Sequence, residues 1–336
     1  MNYKFLDNLD LIIDIEKLWY SKNILSIFLL PLSWLFQLVS FFRRSFYKIF
    51  RSKADLIDSC IIVVGNITVG GVGKTPFVAH LARCCKDKGL RVGVVARGYG
   101  RTDESSLIEV LNDSDAVEVG DEALMLKQQI SCPIAVAADR TKAAMYLNDK
   151  YDLDVIISDD GLQHYNLARN YEIVVVDGER LFGNGRCLPA GPLREPISRL
   201  NTVDLVISNG ENALYEYQYT VSYSEFVSLT SADVKKSFED FANVKVHAVA
   251  GIGSPKRFFA VLEKADLDII PHVFTDHYTY KQADIEFNDN LPIIMTEKDA
   301  VKCREFNTEN AWYLPMTIQS NEKLGGRISK LLEEIN

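Results

Sequence analysis

The sequence predicts an α/β fold: a mostly parallel sheet with helices on both faces, a smaller C-terminal α/β domain, and an apolar N-terminal helix ahead of both. Three observations carry this. From residue 61 onward, short β-branched apolar runs alternate with helical patterns, which signals parallel βαβ units. Those runs are apolar without alternation, as strands are when helices cover both faces of their sheet. An uncharged, mostly apolar segment, residues 24–42, precedes the first run.

At 336 residues the chain is long enough for two domains with an added segment. We expect residues 1–52 as the N-terminal helical segment, 53–215 as the core, and 216–336 as the smaller domain closing over it. The composition, 47% apolar and 25% charged, is that of a folded protein. A formal net charge of −9 argues against a general nucleic-acid binder, which needs a basic footprint for phosphates. Cys60, Cys84, Cys85, Cys132, Cys187 and Cys303 show no Cys-x-x-Cys spacing, so reduced thiols are expected rather than a disulfide framework or zinc site.

The segment ILSIFLLPLSWLFQLVSFF at 24–42 is barely long enough to span a bilayer, and Pro31 interrupts its helix. It lacks the basic leader and cleavage site of a secretory signal. Beyond it, Phe42, Phe46, Ile49 and Phe50 recur at helical spacing, while Arg44, Lys48 and Arg51 form a separate stripe. Between Lys22 and Lys53 there are six basic residues and no acidic one. Apolar and basic faces on one helix suit an anchor lying in the membrane interface. A buried core helix and a true span are the alternatives; a span would leave the body in the cytoplasm.

Strands are expected at 61–64, 91–96, 134–138, 155–158, 173–177 and 205–208, with a helix at 77–88. Residues 211–225 are polar and tyrosine-rich, as a bridging segment would be. A second α/β pattern follows, with strands at 246–250, 293–296 and 312–314 and a helix at 256–264.

The chemistry concentrates where strands end. The first strand runs into Gly65-Asn-Ile-Thr68-Val-Gly70-Gly71-Val72-Gly73-Lys74-Thr75-Pro76. Glycines let backbone N–H groups turn inward around an anion. Lys74 can reach β- and γ-phosphates, Thr75 offers a hydroxyl to Mg²⁺, and the helix N-terminus adds a favourable dipole. A glycine usually stands five residues before Gly73; here it is Thr68, with the doubled Gly70-Gly71 able to make the turn. The pattern makes the core P-loop NTPase-like, with ATP and Mg²⁺ as cofactors.

Next, the strand at 155–158 ends in Asp159-Asp160-Gly161, where a carboxylate lies near the ligand crevice and can hold Mg²⁺. Adjacent strand residues face opposite sides, so the two need not share a role. A third feature is a set of arginine-rich loops: Arg97-Gly-Tyr99-Gly-Arg101, Asp139-Arg140, His164, Arg169, Arg186 and Arg194-Glu195. Guanidinium forks suit phosphate oxygens, although each arginine alone is an ordinary ion-pair partner. Asp121, in Gly120-Asp121-Glu122, reads by itself as a helix N-cap, and His277 as a structural histidine.

Taken together these strings resemble the tetraacyldisaccharide 4′-kinase family, the lipid A 4′-kinases of Gram-negative bacteria. The resemblance rests on GNITVGGVGKTP (65–76), ARGYGR (96–101), VGDEA (119–123), ADRTKAA (138–144) and SDDGLQHYNLARN (158–170). It continues through VVVDGERLFGNGRCLPAGPLREP (174–196), TDHYTY (275–280) and TEKDAVK (296–302), and so covers most of the chain. The family's loop looks similar at Thr68. The resemblance implies transfer of the ATP γ-phosphate to the 4′-hydroxyl of a tetraacyl glucosamine disaccharide 1-phosphate, giving lipid IV-A in lipid A biosynthesis. It implies Asp121 as catalytic base assisted by His277, with Thr75, Asp159, Asp160 and Glu195 around the metal. Arg97, Tyr99, Arg101, Arg140, His164 and Arg194 would contact substrate or phosphate. The implied partners are the lipid disaccharide and the cytoplasmic face of the inner membrane, with no obligate protein partner evident. A partitioning or targeting ATPase is the rival reading, but its signature lysine before the paired glycines is Val69 here. A degenerate nucleotide-fold adaptor is disfavoured because Lys74, Thr75 and Asp159 are intact.

Overall fold

The computed structural model describes residues 18–21, 24–49, 57–212, 214–306 and 308–335. Helices α1 (Leu25–Phe28) and α2 (Leu30–Ile49) come first. The break between them falls just before Pro31, which sits in the first turn of α2 where its missing N–H costs nothing. The core then follows as β1 (Cys60–Gly65), α3 (Lys74–Asp87), β2 (Val92–Ala96), β3 (Ile108–Glu109), α4 (Ala116–Val119), α5 (Asp121–Gln129), β4 (Ile134–Val136), α6 (Arg140–Lys150), β5 (Val155–Asp159), β6 (Tyr171–Asp177), β7 (Leu205–Asn209) and β8 (Gln218–Ser222). A second unit carries β9 (Phe226–Ser228), β10 (Lys235–Lys236), β11 (Lys245–Ala250), α7 (Pro255–Lys264), β12 (Asp268–Val273), β13 (Ile293–Thr296), α8 (Glu297–Cys303) and β14 (Ala311–Leu314). The chain ends in β15 (Thr317–Ser320) and α9 (Glu322–Glu333).

Among the described residues the first sheet has the order β15-β8-β7-β6-β1-β5-β2-β4-β3. Every neighbouring pair from β8 to β4 is parallel; only β15 and β3 run antiparallel, at the edges. Alternate residues of β1 show why the run has no period. Ile62 and Val64 enter the core under α3 and α5, whereas Ile61 and Val63 enter the one under α6. The second sheet, β10-β9-β14-β13-β11-β12, packs Phe226, Phe241, Phe258 and Trp312 on one face. All six cysteines are free thiols.

The expected division at 216 is corrected by the sheets. Strand β8 lies beyond that position yet extends the first sheet, and β15 and α9 return to it, with Leu324, Ile328 and Leu331 buried in the core under α3. Two connections, after Ser222 and before Thr317, therefore join the second unit to the core.

No helix among the described residues is long and apolar enough to cross a membrane. Helices α1 and α2 lie against the core by polar residues and by Phe36, which packs on the cluster under α6. Ser33 Oγ donates to the Cys187 carbonyl at 2.8 Å, Arg186 Nη1 donates to Ser26 Oγ at 2.6 Å, and Arg44 Nη2 donates to Thr202 Oγ1 at 3.0 Å. Most of their other apolar side chains face outward: Phe28, Trp34, Leu35, Phe41, Phe42, Phe46 and Ile49 are all more than half exposed. Of the expected stripes, Phe50, Arg51 and the Lys48 side chain lie outside the described residues, as does most of 1–23 and 50–56.

Candidate active site

The loop between β1 and α3 is shaped by its own residues. Asn66 Nδ2 donates to the Thr68 carbonyl at 2.8 Å, and Lys74 Nζ donates back to Asn66 Oδ1 at 3.1 Å. Gly73 caps the helix at φ 86°, a left-handed conformation, and a Cβ there would meet Asn209 Nδ2 at 2.4 Å. Only glycine satisfies both constraints. Thr75 Oγ1 donates to Asp159 Oδ2 at 3.1 Å, joining the helix start to the end of β5. Asp160 pairs with Lys74 at 3.2 Å and with Arg194 at 3.3 Å, and its carbonyl accepts from Arg140 Nη2.

The adjacent carboxyls are thereby pushed apart. Burial, with Glu122 adding repulsion, raises Asp159 to about 7 against the weaker pull of Lys74. Burial also opposes ionisation of Asp160, but Lys74 and Arg194 overcome it and lower that group to about 2. Asp159 Oδ1 is buried and accepts no hydrogen bond among the described residues. An unfilled carboxylate oxygen beside a hydroxyl, in an anion-binding loop, fits Mg²⁺, a hard cation that takes a carboxylate or two and completes its shell with phosphate and water.

A second cluster lies where the two units meet. Gly120 turns the chain at φ 88° so that Asp121 opens α5 almost fully buried. His277, from the segment after β12, places Nδ1 3.0 Å from Asp121 Oδ2. Its own backbone is left-handed at φ 59°, an unusual conformation for a non-glycine residue and one often found at functional sites. The hydrogen bond to Asp121 raises His277 above its ordinary 6.5 against burial and Lys298, while burial of Asp121 is outweighed by His277, Lys298 and Lys302, which lower it. Tyr99 lies beside the imidazole, with ring centroids 4.9 Å apart. A cavity of about 220 Å³ opens next to this pair, lined in part by Tyr99, Asn112 and Phe306.

Not every expected residue joins these clusters. Arg97 is exposed and pairs with Glu104. Arg101 is buried and turned inward, donating to the Glu104 and Ser106 carbonyls. His164 meets Asp139 at 3.1 Å, and Arg169 donates to loop carbonyls and Glu172. Glu195 accepts from Gln163 Nε2 at its Oε1, 2.9 Å away, and from Arg199 Nε at its Oε2, 3.1 Å away. Pro76 and Val72 are buried as packing residues, and Gly70 takes φ 98°.

Three groups escaped the reading of single motifs. Asp177, at the end of β6, accepts from Arg180 Nε at 2.9 Å and from Arg257 of α7 at 3.2 Å. Arg180 also donates to the Gly71 carbonyl, linking the phosphate loop to the second unit. Lys298 and Lys302, in α8, both approach Asp121. Their string, TEKDAVK, had marked a resemblance without suggesting a role.

A phosphate loop at the end of a central parallel strand, a Thr–Asp pair for a cation and a carboxylate–histidine pair across the cleft define a P-loop phosphotransferase. The comparisons name the kind. The profile of the family described as LpxK, tetraacyldisaccharide-1-P 4'-kinase, matches residues 25–333, so the chain belongs to that family. It is 47% identical over 327 residues to the tetraacyldisaccharide 4'-kinase of Hahella chejuensis, covering 96% of this chain and 97% of that protein. To that of Legionella pneumophila (strain Corby) it is 45% identical over 309 residues, covering 92% and 94%. The crystal structure of "apo" form LpxK from Aquifex aeolicus in complex with ATP superposes with a TM-score of 0.77 at 27% identity, covering 93% of this chain and 99% of that one.

Proposed function

We propose that this chain transfers the γ-phosphoryl group of ATP to the 4′-hydroxyl of a tetraacyldisaccharide 1-phosphate, yielding lipid IV-A, at the cytoplasmic face of an inner membrane. Family membership supports the reaction. The observation that carries the mechanism is the 3.0 Å contact between Asp121 of the core and His277 of the second unit, beside the phosphate loop's cleft. Asp121 is the base: held ionised by its neighbours, it accepts the proton of the acceptor hydroxyl. His277 orients that carboxylate through Nδ1–H. Lys74 and the 65–73 backbone take the phosphate oxygens, with Arg194 and Arg140 adding positive charge beside Asp160. Thr75 and Asp159 would hold Mg²⁺, which when bound would neutralise the charge spread over the transferring group. Phosphoryl transfer is mostly positioning and electrostatics, which these residues provide.

The outward apolar face of α1 and α2 gives the acceptor's acyl chains a reason to be near: the helix lies in the interface and the sugar reaches the cleft. The test of the reaction is γ-³²P transfer from ATP to the disaccharide 1-phosphate. A 4′-phosphorylated product is expected, whereas hydrolysis of ATP without transfer would refute the reading. For the anchor, the double variant Trp34→Glu/Phe42→Glu is expected to weaken co-sedimentation with vesicles containing phosphatidylglycerol by at least about tenfold, since each ring removed from apolar surroundings is worth ~1.5–3 kcal/mol. Unchanged sedimentation would assign attachment to another surface.

A further inference from the structure

We propose that Lys298 is a positioning residue for the Asp121–His277 pair: its ammonium, facing Nε2, reinforces the imidazole tautomer that the Asp121 carboxylate draws toward itself at Nδ1, and ties that geometry to the seating of the second unit on the core. The inference deepens the reading of Asp121 as base and rests on it for its kinetic consequence only.

The sequence places Lys298 and Lys302 four residues apart, so both project from one face of α8. That face turns toward the start of α5. Thr296 caps the helix, its Oγ1 accepting from the Asp299 N–H at 3.1 Å and donating to Asp299 Oδ2 at 2.7 Å, and the same carboxylate oxygen accepts from the Gly251 N–H at 2.9 Å. Asp299 Oδ1 holds Lys302 at 2.9 Å. The helix is thus fixed to the loop after β11, and its cations are not free to wander.

Lys298 Nζ, almost fully buried, meets partners from both units. It lies 3.1 Å from Glu122 Oε1 of the core and 3.0 Å from Asp276 Oδ1 of the second unit. It is also 3.4 Å from His277 Nε2 and 3.8 Å from Asp121 Oδ2. An ammonium has three donors and no acceptor, so the Nε2 facing it must be the lone-pair nitrogen. A neutral imidazole then carries its proton on Nδ1, the nitrogen 3.0 Å from Asp121. An imidazolium would direct Nε2–H at the ammonium, which the structure penalises by like-charge repulsion. The groups facing the pair are therefore Lys298 and Lys302 from α8, Asp276 beside His277, Glu122 beside Asp121, and the Tyr99 ring against the imidazole. Asp121 is poised as an acceptor because two ammoniums lie within 4 Å of it, and His277 is poised as a donor because the carboxylate accepts at Nδ1 while one ammonium claims Nε2.

The arrangement also makes the base depend on seating of the second unit. Asp121 and Glu122 open α5 of the core; His277, Asp276 and Lys298 all belong to the second unit. Moving that unit away removes the donor and the nearest cation from Asp121 together, so an open cleft is not equipped to take the acceptor's proton.

The experiment is ¹⁵N-histidine NMR of the full chain through a pH titration, comparing the parent protein with Lys298→Met and Lys298→Arg, alongside pH profiles of kcat/KM. In the parent, His277 should show the Nδ1–H tautomer. In Lys298→Met the tautomer balance should move toward Nε2–H and the His277 pKa should rise, because a cation that opposed its protonation is gone. Turnover at neutral pH should fall about 10–100-fold, the usual cost of losing an orienting partner, with the acid limb displaced to higher pH. Lys298→Arg keeps charge and donors and should retain the parent tautomer. A His277 signal unmoved in Lys298→Met overturns the inference. If that variant does not fold, the Arg variant decides: loss of the Nδ1–H tautomer despite a retained cationic donor overturns it. A shifted tautomer with undiminished turnover would uphold the positioning role and reject the base reading beneath it.

Discussion

Asp121→Asn is expected to lower kcat by about 10²–10⁴-fold, the range for removing a positioned general base, while ATP affinity stays within about twofold. The two halves separate because Asp121 lies at the interface of the units, whereas the phosphate contacts come from the 65–73 loop, Lys74 and Thr75. An amide keeps the shape and still accepts from His277, so loss of turnover reports loss of the proton acceptor rather than collapse of the cleft. His277→Ala should cost less, and the double variant should be no worse than Asp121→Asn, because groups acting as a unit are not additive. The pH dependence follows from the directions of the shifts. Asp121 is held below its usual 3.8, so its protonation does not limit activity near neutrality. His277 is raised above 6.5, and its protonation leaves Asp121 paired with an imidazolium and so a weaker base. The acid limb of kcat/KM should therefore lie above pH 6.5 and disappear in His277→Ala. Near-normal turnover in Asp121→Asn would reject the base assignment.

That pair shows what the sequence could and could not convey. The parallel sheet was legible because each of its central strands is a contiguous apolar run, and contiguity needs no knowledge of partners. The phosphate loop was legible for the same reason: Gly73, Lys74 and Thr75 act through a local turn. Asp121 and His277 carry no local mark. Each looks ordinary alone, and their contact spans 156 positions, so only resemblance to a family pointed to them. Lys298 and Arg257 are further cases: nothing near either residue indicates Glu122 or Asp177 as its partner. Neighbours in sequence also diverge: Arg194 turns to Asp160, whereas Glu195 turns to Arg199 and Gln163. The return of β15 and α9 to the first sheet leaves no local mark, because a whole α/β unit separates β15 from its partner β8.

Asp159→Asn should separate the cost of the cation site from its use. In the ligand-free protein, burial holds the Asp159 carboxyl at about 7, well above the 3.8 of an exposed group. A raised acid gives the folded state an advantage at low pH that is lost as pH climbs from about 4 toward 7, since the unfolded chain releases its proton first. At pH 7.5 the folded protein therefore carries a penalty that an amide does not. The variant should melt higher than the parent without ligand, by roughly 2–4 °C for each kcal/mol relieved, and the gap should close below pH 4. With Mg²⁺ and ATP the order should reverse. The parent gains stability by binding a ligand that only its folded state recognises, and the variant, lacking the anionic oxygen beside Thr75, should show a much smaller rise. Its turnover should drop by at least about 10²-fold, as when a preorganised charge contact to the transition state is removed. Differential scanning calorimetry with and without Mg²⁺·ATP, at pH 4 and pH 7.5, reads both effects in one protein. A variant that melts lower without ligand would show that Asp159 stabilises the fold, and an undiminished Mg²⁺·ATP shift would place the cation on other residues. The expected crossing of the two curves has a single physical origin: a carboxylate kept from water without a full set of partners is costly until a cation supplies the missing one.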